Sequence, residues 1–463
     1  MKSILIILVV PIFIISCDIE RKNRAVIYSH RVNKFDSIVN KLITDKNISG
    51  TSIGVAINDS IIYSKGFGFS DTSNTKKIQP NSIFAIASVT KLITAIGILK
   101  LQEEGKLSID HSIVHYFPEL PDEFSKIKIK NLLNHTSGLA LMTEYADSLN
   151  QSDGIDIRNE KIFSYMTIDK IKDNPNEYWA YNNTPGYLLL SLLIERASHM
   201  DYGEFIEEYI AKPLRLKQFG LCSSEHFKHQ YKINFNIDSP LARQLDTNKI
   251  FEQLKGQGGI CSSSNDLLKI IMALHNNELI SKENYSLMYS KTTLNNGMDV
   301  YYGLGSRLGY SANHFKMGHT GGAITDFSVV LQYPDDNVSI VVLTNSEPSN
   351  ATVIAESLAE VIFDLKAPEM VAIDDTEYQG IFKWGSSMIE YTVDSSGTLW
   401  ESIDYGGGEI DSLDYYYIGD NRFYNKKYRS EIRFYVKNNK ALGLNSFSSG
   451  LFSDSDLAKR IDK

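Results

Sequence analysis

Two side chains three residues apart, Ser88 and Lys91, carry the most evident chemistry in the chain. A serine hydroxyl is a weak nucleophile until a neighbouring base takes its proton. A lysine kept out of water near other cations can be that base. Downstream, Leu92, Ile93, Ile96, Leu99 and Leu101 repeat with helical period and Gly105 offers a stop, so the spacing predicts a helix opening at Ser88. Residues three apart share a helix face, which sets the amine beside the hydroxyl. Ser73/Lys76 and Ser125/Lys128 show the same spacing, so spacing alone identifies nothing. Only Ser88 opens a long, mostly apolar helix, where a buried hydroxyl and amine need a reason to be there.

The rest of the chain must position that pair. A length of 463 residues is too great for one ordinary core, which predicts two domains or one large domain with an appendage. Hydrophobic content of 43% with 22% charged residues is that of a folded globular protein rather than a disordered one. A net charge of −9 without any basic block argues against a nucleic-acid partner.

The N-terminus reads as a targeting segment. Lys2 precedes an apolar run from Ile4 to Ile15, then Ser16-Cys17 and a polar stretch from Asp18. Charge, length and flanks fit a signal peptide over 1–16, too short for a comfortable membrane span, with a tether over 17–30. Ile14-Ile15-Ser16-Cys17 resembles the bacterial lipoprotein box, whose cysteine is lipidated and becomes the mature N-terminus. The alternative is an ordinary secretory signal with an incidental cysteine. The lipid reading places the protein in the bacterial cell envelope, anchored to a membrane outside the cytoplasm. Cys222 and Cys261 remain. A disulfide is open to them in an oxidising compartment, but Cys261 follows Gly258-Gly259-Ile260 in a tightly packed segment, so a buried free thiol is expected. Neither has a histidine at ligand spacing; no metal and no cofactor are expected.

An amphipathic helix is predicted through Val32, Phe35, Ile38, Val39, Leu42 and Ile43, then strands at 51–57 and 61–63. Residues 131–139 read as a helix ending at a sharp turn. Thr184-Pro185 suits the start of the apolar helix 188–197, leaving Tyr181 and Asn183 in a loop at its entrance. A helix is predicted at 265–275, capped by Ser264 or Asn265. The runs 327–333 and 338–345 flank Pro334-Asp335-Asp336-Asn337, a hairpin signal, and a helix 351–365 follows. Glycines ahead of that hairpin, Gly318, Gly321 and Gly322, let a ligand approach the backbone. From 374 to 463 alternating strands and turns predict a small antiparallel β-barrel, whose aromatic residues fill a core more readily than they line a ligand cavity.

Ser88-Val89-Thr90-Lys91, Tyr181-Asn182-Asn183 and His319-Thr320-Gly321 resemble, in order and rough spacing, the three motifs of serine β-lactamases and penicillin-binding proteins. The tyrosine-x-asparagine motif and the leading histidine look like the branch of class C β-lactamases, related esterases and D-aminopeptidases. His135-Thr136-Ser137-Gly138-Leu139 and Gly258-Gly259-Ile260 agree with it. The resemblance covers 35–365, and the tail is similar to lipocalin-like β modules. It implies an α/β (α+β) β-lactamase/transpeptidase-like fold over 31–366, with a helical region on a mainly antiparallel sheet. It also implies an acyl-enzyme on Ser88, proton transfer by Lys91 and Tyr181, and substrate contacts from Asn183, His319, Thr320 and Gly321. Backbone N–H groups of Ser88 and Gly322 would form an oxyanion hole. Penicillin-recognising members usually carry lysine where this chain has His319. A histidine is only partly charged near neutrality, which favours a small-molecule or peptide substrate cleaved as by a peptidase or esterase. Two other readings remain: a non-catalytic cell-wall binding or sensor lipoprotein retaining the fold, and a lipoprotein whose function lies in the barrel.

Overall fold

The β-branched runs on either side of Pro334 form the middle of a sheet because both their faces find a core. The computed structural model describes residues 31–46, 48–71, 73–140, 166, 170–181, 184–228, 254–323, 326–346, 348–366, 373, 376–384, 387–404, 410–426, 430–446 and 457–461. The leader and tether expected at 1–30, Cys17 with them, lie outside those residues, as does Asn183.

In chain order the elements are α1 (Phe35–Asp45), β1 (Gly50–Ile57), β2 (Ser60–Gly68), β3 (Phe84–Ala85), α2 (Thr90–Glu103), α3 (Ile129–Leu133) and α4 (Thr184–Ser198). There follow β4 (Phe219–Leu221), β5 (Ile260–Ser262), α5 (Ser264–His275), β6 (Thr292–Thr293), β7 (Asp299–Val300), β8 (Arg307–Ser311) and β9 (His314–Gly322). The larger part ends with β10 (Phe327–Tyr333), β11 (Val338–Thr344) and α6 (Pro348–Phe363).

The main sheet has the order β2-β1-β11-β10-β9-β8, antiparallel throughout. Along β11, Val338, Ile340 and Val342 join Phe35, Val39, Ile354 and Leu358 on one face, while Val341 and Leu343 join the helical core on the other. Period two thus feeds two cores, and so these strands read as largely apolar runs rather than as a strict apolar–polar alternation. Each such side chain contributes about 1.5–3 kcal/mol on full burial. α1 and α6 cover one face; α2, α4 and α5 belong to the other.

Three local expectations are corrected. The helix begins at Thr90, not Ser88, because Ala87–Val89 forms a 3-10 turn in which Ala87 takes φ +45°. Ser263 caps α5 by accepting from Asp266 N, since Ser264 Oγ is engaged by Ser52 Oγ at 2.7 Å. Cys222 and Cys261 are not free thiols but a disulfide. The pairing of β4 with β5, Gly220 opposite Cys261, brings their Cα atoms to 4.9 Å, and the sulfurs pack with Ala85 and Phe227.

Beyond α6 the strands β12 (Gly380–Trp384), β13 (Ser387–Val393), β14 (Leu399–Asp404), β15 (Ile410–Gly419), β16 (Arg422–Asn425), β17 (Ser430–Lys437), β18 (Lys440–Ser446) and β19 (Leu457–Arg460) close into a barrel. Phe382, Tyr391, Leu399, Phe423, Ile432, Phe434 and Leu444 fill it, so the aromatic residues serve as core. Glu401 lies two residues beyond Leu399 on the same inward face and accepts a hydrogen bond from Tyr391 Oη. Burial pushes its carboxyl up to about 7, against an ordinary value near 4.5. The folded barrel therefore holds this proton more tightly than the unfolded chain does. The resulting stability is complete below about pH 4.5 and is lost as pH rises through about 7, a difference of about 3 kcal/mol. Denaturant midpoints of the barrel should fall between pH 5 and pH 8, and Glu401→Gln should flatten that fall. A slope unchanged in the variant would place the titration elsewhere.

Candidate active site

The turn carrying Ser88 is held from three sides. Ile86 N donates to Ile260 O at 2.9 Å, which fixes the turn to β5. Ile86 O accepts from Ser328 Oγ of β10 at 2.7 Å, and Ala85 N donates to Asp326 Oδ2 at 3.0 Å. A left-handed alanine costs on the order of 1–3 kcal/mol, a strain these bonds hold in place. A Cβ on Gly321 of β9 would lie 2.2 Å from Ile86 O, so only glycine lets this strand pass so close to the nucleophile turn.

Lys91 is 5% exposed, and its Nζ donates to Ser88 Oγ at 3.0 Å and to Gln257 O at 2.9 Å. Nζ also lies 5.3 Å from the Tyr181 ring centroid. Burial lowers the pKa of Lys91, the negative charge available on Tyr181 opposes this, and Arg307 adds to the lowering. Burial alone would raise Tyr181. The cations Lys91 and Arg307, with hydrogen bonds to Ser88 and Lys91, outweigh it and hold the phenol below its ordinary value. Serine and amine therefore share a hydrogen bond beside the phenol ring, and the two titratable groups are each shifted toward giving up a proton.

His319 of β9 completes the cluster differently from the sequence expectation. It is 2% exposed, and its Nδ1 lies 2.6 Å from Thr320 O, which makes Nδ1 the donor. Nε2 then accepts from Tyr302 Oη at 3.1 Å and stands 3.4 Å from Tyr181 Oη. Burial, then Arg307 and Lys91, push its pKa well below the ordinary range. The partly charged His319 expected from the sequence is corrected to a neutral imidazole. The permanent charge beside the phenol comes instead from Arg307, whose guanidinium carbon lies 4.5 Å from the Tyr181 ring centroid. Its strand β8 pairs with β9, Arg307 opposite Gly318.

Ser88, Lys91, Tyr181 and His319 thus converge as the motifs predict. Thr320, Gly321 and Gly322 lie on β9 beside them, Gly321 next to the Ser88 turn. Arg307 and Tyr302 were not found from the sequence. The signal available was a lone arginine in the otherwise uncharged stretch 301–311. His135 packs among Tyr181, Tyr187, Tyr302 and Trp179 with ring centroids 4.8 to 6.1 Å away, and burial keeps it neutral.

Comparison with known proteins agrees with this geometry. The Beta-lactamase family profile matches residues 35–362. The chain belongs to the beta-lactamase family. Members of this family are serine hydrolases, and this chain is a serine hydrolase of the beta-lactamase-related type. It is 29% identical over 307 residues to penicillin-binding protein 4* of Bacillus subtilis, spanning 62% of this chain and 66% of that protein. It is 25% identical over 276 residues to esterase EstB of Burkholderia gladioli, spanning 53% of this chain and 70% of the esterase. In fold it is similar to the octameric penicillin-binding protein homologue from Pyrococcus abyssi, with TM-score 0.61, 20% identity, and coverage of 92% of this chain and all of that one.

The close passage at Gly321 generates a prediction. Gly321→Ala would force Ile86 O and the Ser88 turn aside while leaving both cores intact. Labelling of Ser88 by a fluorophosphonate should slow on the order of 10²-fold, as for misplacement of a reacting group by about 1 Å. Unchanged labelling with an unchanged circular dichroism spectrum would show that the turn tolerates the methyl group.

Proposed function

We propose that this chain is a membrane-tethered hydrolase that opens an amide, ester or lactam carbonyl through an acyl-enzyme on Ser88. The observation that carries the reading is the contact of Lys91 Nζ with Ser88 Oγ at 3.0 Å, with the Tyr181 ring centroid 5.3 Å from the same amine. Ser88 Oγ attacks the carbonyl carbon and its proton passes to the Lys91–Tyr181 pair. The carbonyl oxygen becomes an oxyanion facing the N–H groups of Ser88 and Gly322. Collapse expels the amine or alcohol, which takes the proton from the same pair. A water molecule then repeats the sequence on the ester and frees Ser88. Asn183, Thr320 and Gly321 are proposed to hold the substrate.

Peptides and esters are favoured over penicillins because His319 is neutral and turned toward Tyr302. An anionic group on the substrate would meet Arg307 instead. Ser88→Ala should abolish turnover of p-nitrophenyl acetate. Lys91→Ala and Tyr181→Phe should each lose on the order of 10²-fold or more. The double variant should be little worse than the worse single one, since groups acting as a unit are not additive. Full ester turnover in purified Ser88→Ala protein would refute the nucleophile assignment.

The envelope location is proposed on two grounds. The apolar run ending at Cys17 supports a lipidated N-terminus, and a disulfide suits an oxidising compartment. Among the described residues no helix is long and apolar enough to cross a membrane, so attachment falls to the leader and its cysteine. Cys17→Ser should move the protein from the membrane pellet to the soluble fraction. If the variant still pellets in high salt, the anchor assignment fails.

A further inference from the structure

We infer that the barrel is a working part of the active site, with Arg433 and Tyr435 of β17 as positioning residues for Tyr181. This rests on the role proposed above for Tyr181.

The alternation along β17 sends Ile432, Phe434 and Val436 into the barrel core, which leaves Arg433 and Tyr435 on the outward face. Both meet the hydrolase part. Tyr435 packs against a cluster of Trp179, Leu294, Met298, Val300 and Tyr302, and Tyr181 packs against the same cluster. A Cβ on Gly297 would lie 3.5 Å from Tyr435 Oη, so the hydroxyl end of this side chain reaches the tip of the β6–β7 hairpin. Arg433 donates to Tyr301 Oη, and its guanidinium carbon is 5.4 Å from that ring centroid.

The hairpin so gripped is tied to the Tyr181 segment. Asn295 N donates to Asn176 O at 2.8 Å and Asn295 Nδ2 to Pro175 O at 3.2 Å, just ahead of Trp179. Thr292 Oγ1 donates to Tyr302 O at 2.8 Å, and Tyr302 Oη reaches His319 Nε2. The Trp179 and Tyr181 rings lie 5.7 and 6.1 Å from that of Tyr302. A continuous packed path therefore runs from β17 to the phenol that would move the proton. At another part of the seam a cavity of about 410 Å³ is lined by Lys316 and Glu356 together with Arg422 and Glu431 of the barrel. The packed side of the seam is the side that faces the reaction.

The test measures acylation in the full chain. Tyr435→Ala and Arg433→Ala should each slow fluorophosphonate labelling of Ser88, and lower kcat for p-nitrophenyl acetate with little change in KM, by about tenfold or more. Tyr435→Phe, which keeps the ring, should restore most of the rate. Ile389→Ala, which thins the barrel core on β13, four strands round from β17, should lower the melting temperature without slowing acylation. Labelling of both seam variants at the wild-type rate would overturn the inference, as would equal slowing by Ile389→Ala, because general loosening would then suffice. Wild-type protein that is not labelled at Ser88 would instead refute the proposed function, so the two failures are distinguishable.

Discussion

A lysine amine buried against a serine hydroxyl, with a phenol rather than a carboxylate as its acidic partner, is the constraint on which the rest of the site depends. Removing an ammonium from water costs several kcal/mol after relaxation. Here Ser88 Oγ, Gln257 O and Tyr181 offset part of that cost. A carboxylate in the place of Tyr181 would lock the lysine in its charged form. Burial lowers Lys91 and the surrounding cations lower Tyr181, so each gives up a proton more readily than it would in water. That readiness suits a group that must hand over a proton during the reaction.

Such a pair functions only where water is kept out, and backbone approach achieves this. Gly305 takes φ +76°, and a Cβ there would lie 2.5 Å from Ala95 Cβ and 3.0 Å from Lys91 O. The segment leading into β8 therefore lies directly on α2, one turn beyond Lys91. Gly321 does the same for β9 against the Ser88 turn. Gly305, just ahead of β8, and Gly321 of β9 bring neighbouring main-chain segments against α2 and the turn that precedes it. Their role is geometric: each admits a main chain where a side chain would hold it off.

The parts of this arrangement that were legible in the sequence are those set by local periodicity. Ser88 and Lys91 are three apart on a helix, and Phe327–Tyr333 with Val338–Thr344 announce a hairpin through their β-branched runs. The barrel showed itself by alternation, including its β17, where the apolar residues Ile432, Phe434 and Val436 alternate with Arg433 and Tyr435. What the sequence did not reveal depends on pairing between distant segments. Arg307 reaches Tyr181 across 126 positions through the β8–β9 register. Cys222 meets Cys261 because β4 lies beside β5. The state of His319 was misjudged for the same reason, since its charge depends on burial against Tyr302 and on two cations contributed from elsewhere.

The neutral state of His319 and the presence of Arg307 are one fact rather than two. Lys91 and Arg307 already raise the cost of any further positive charge in this space, and His319 sits 2% exposed between the tyrosines they act on. A lysine at 319 would bring a third cation into the same low-dielectric volume, where repulsion and desolvation add. It would be tolerated only if it turned outward, abandoning the contact with Tyr302, or if Arg307 were lost. The histidine escapes this cost by keeping its proton on Nδ1 against Thr320 O, so that Nε2 can accept from Tyr302 Oη. Burial first, and then the charges at 307 and 91, disfavour a further cation at position 319, so the third motif is best understood together with the strand paired to it.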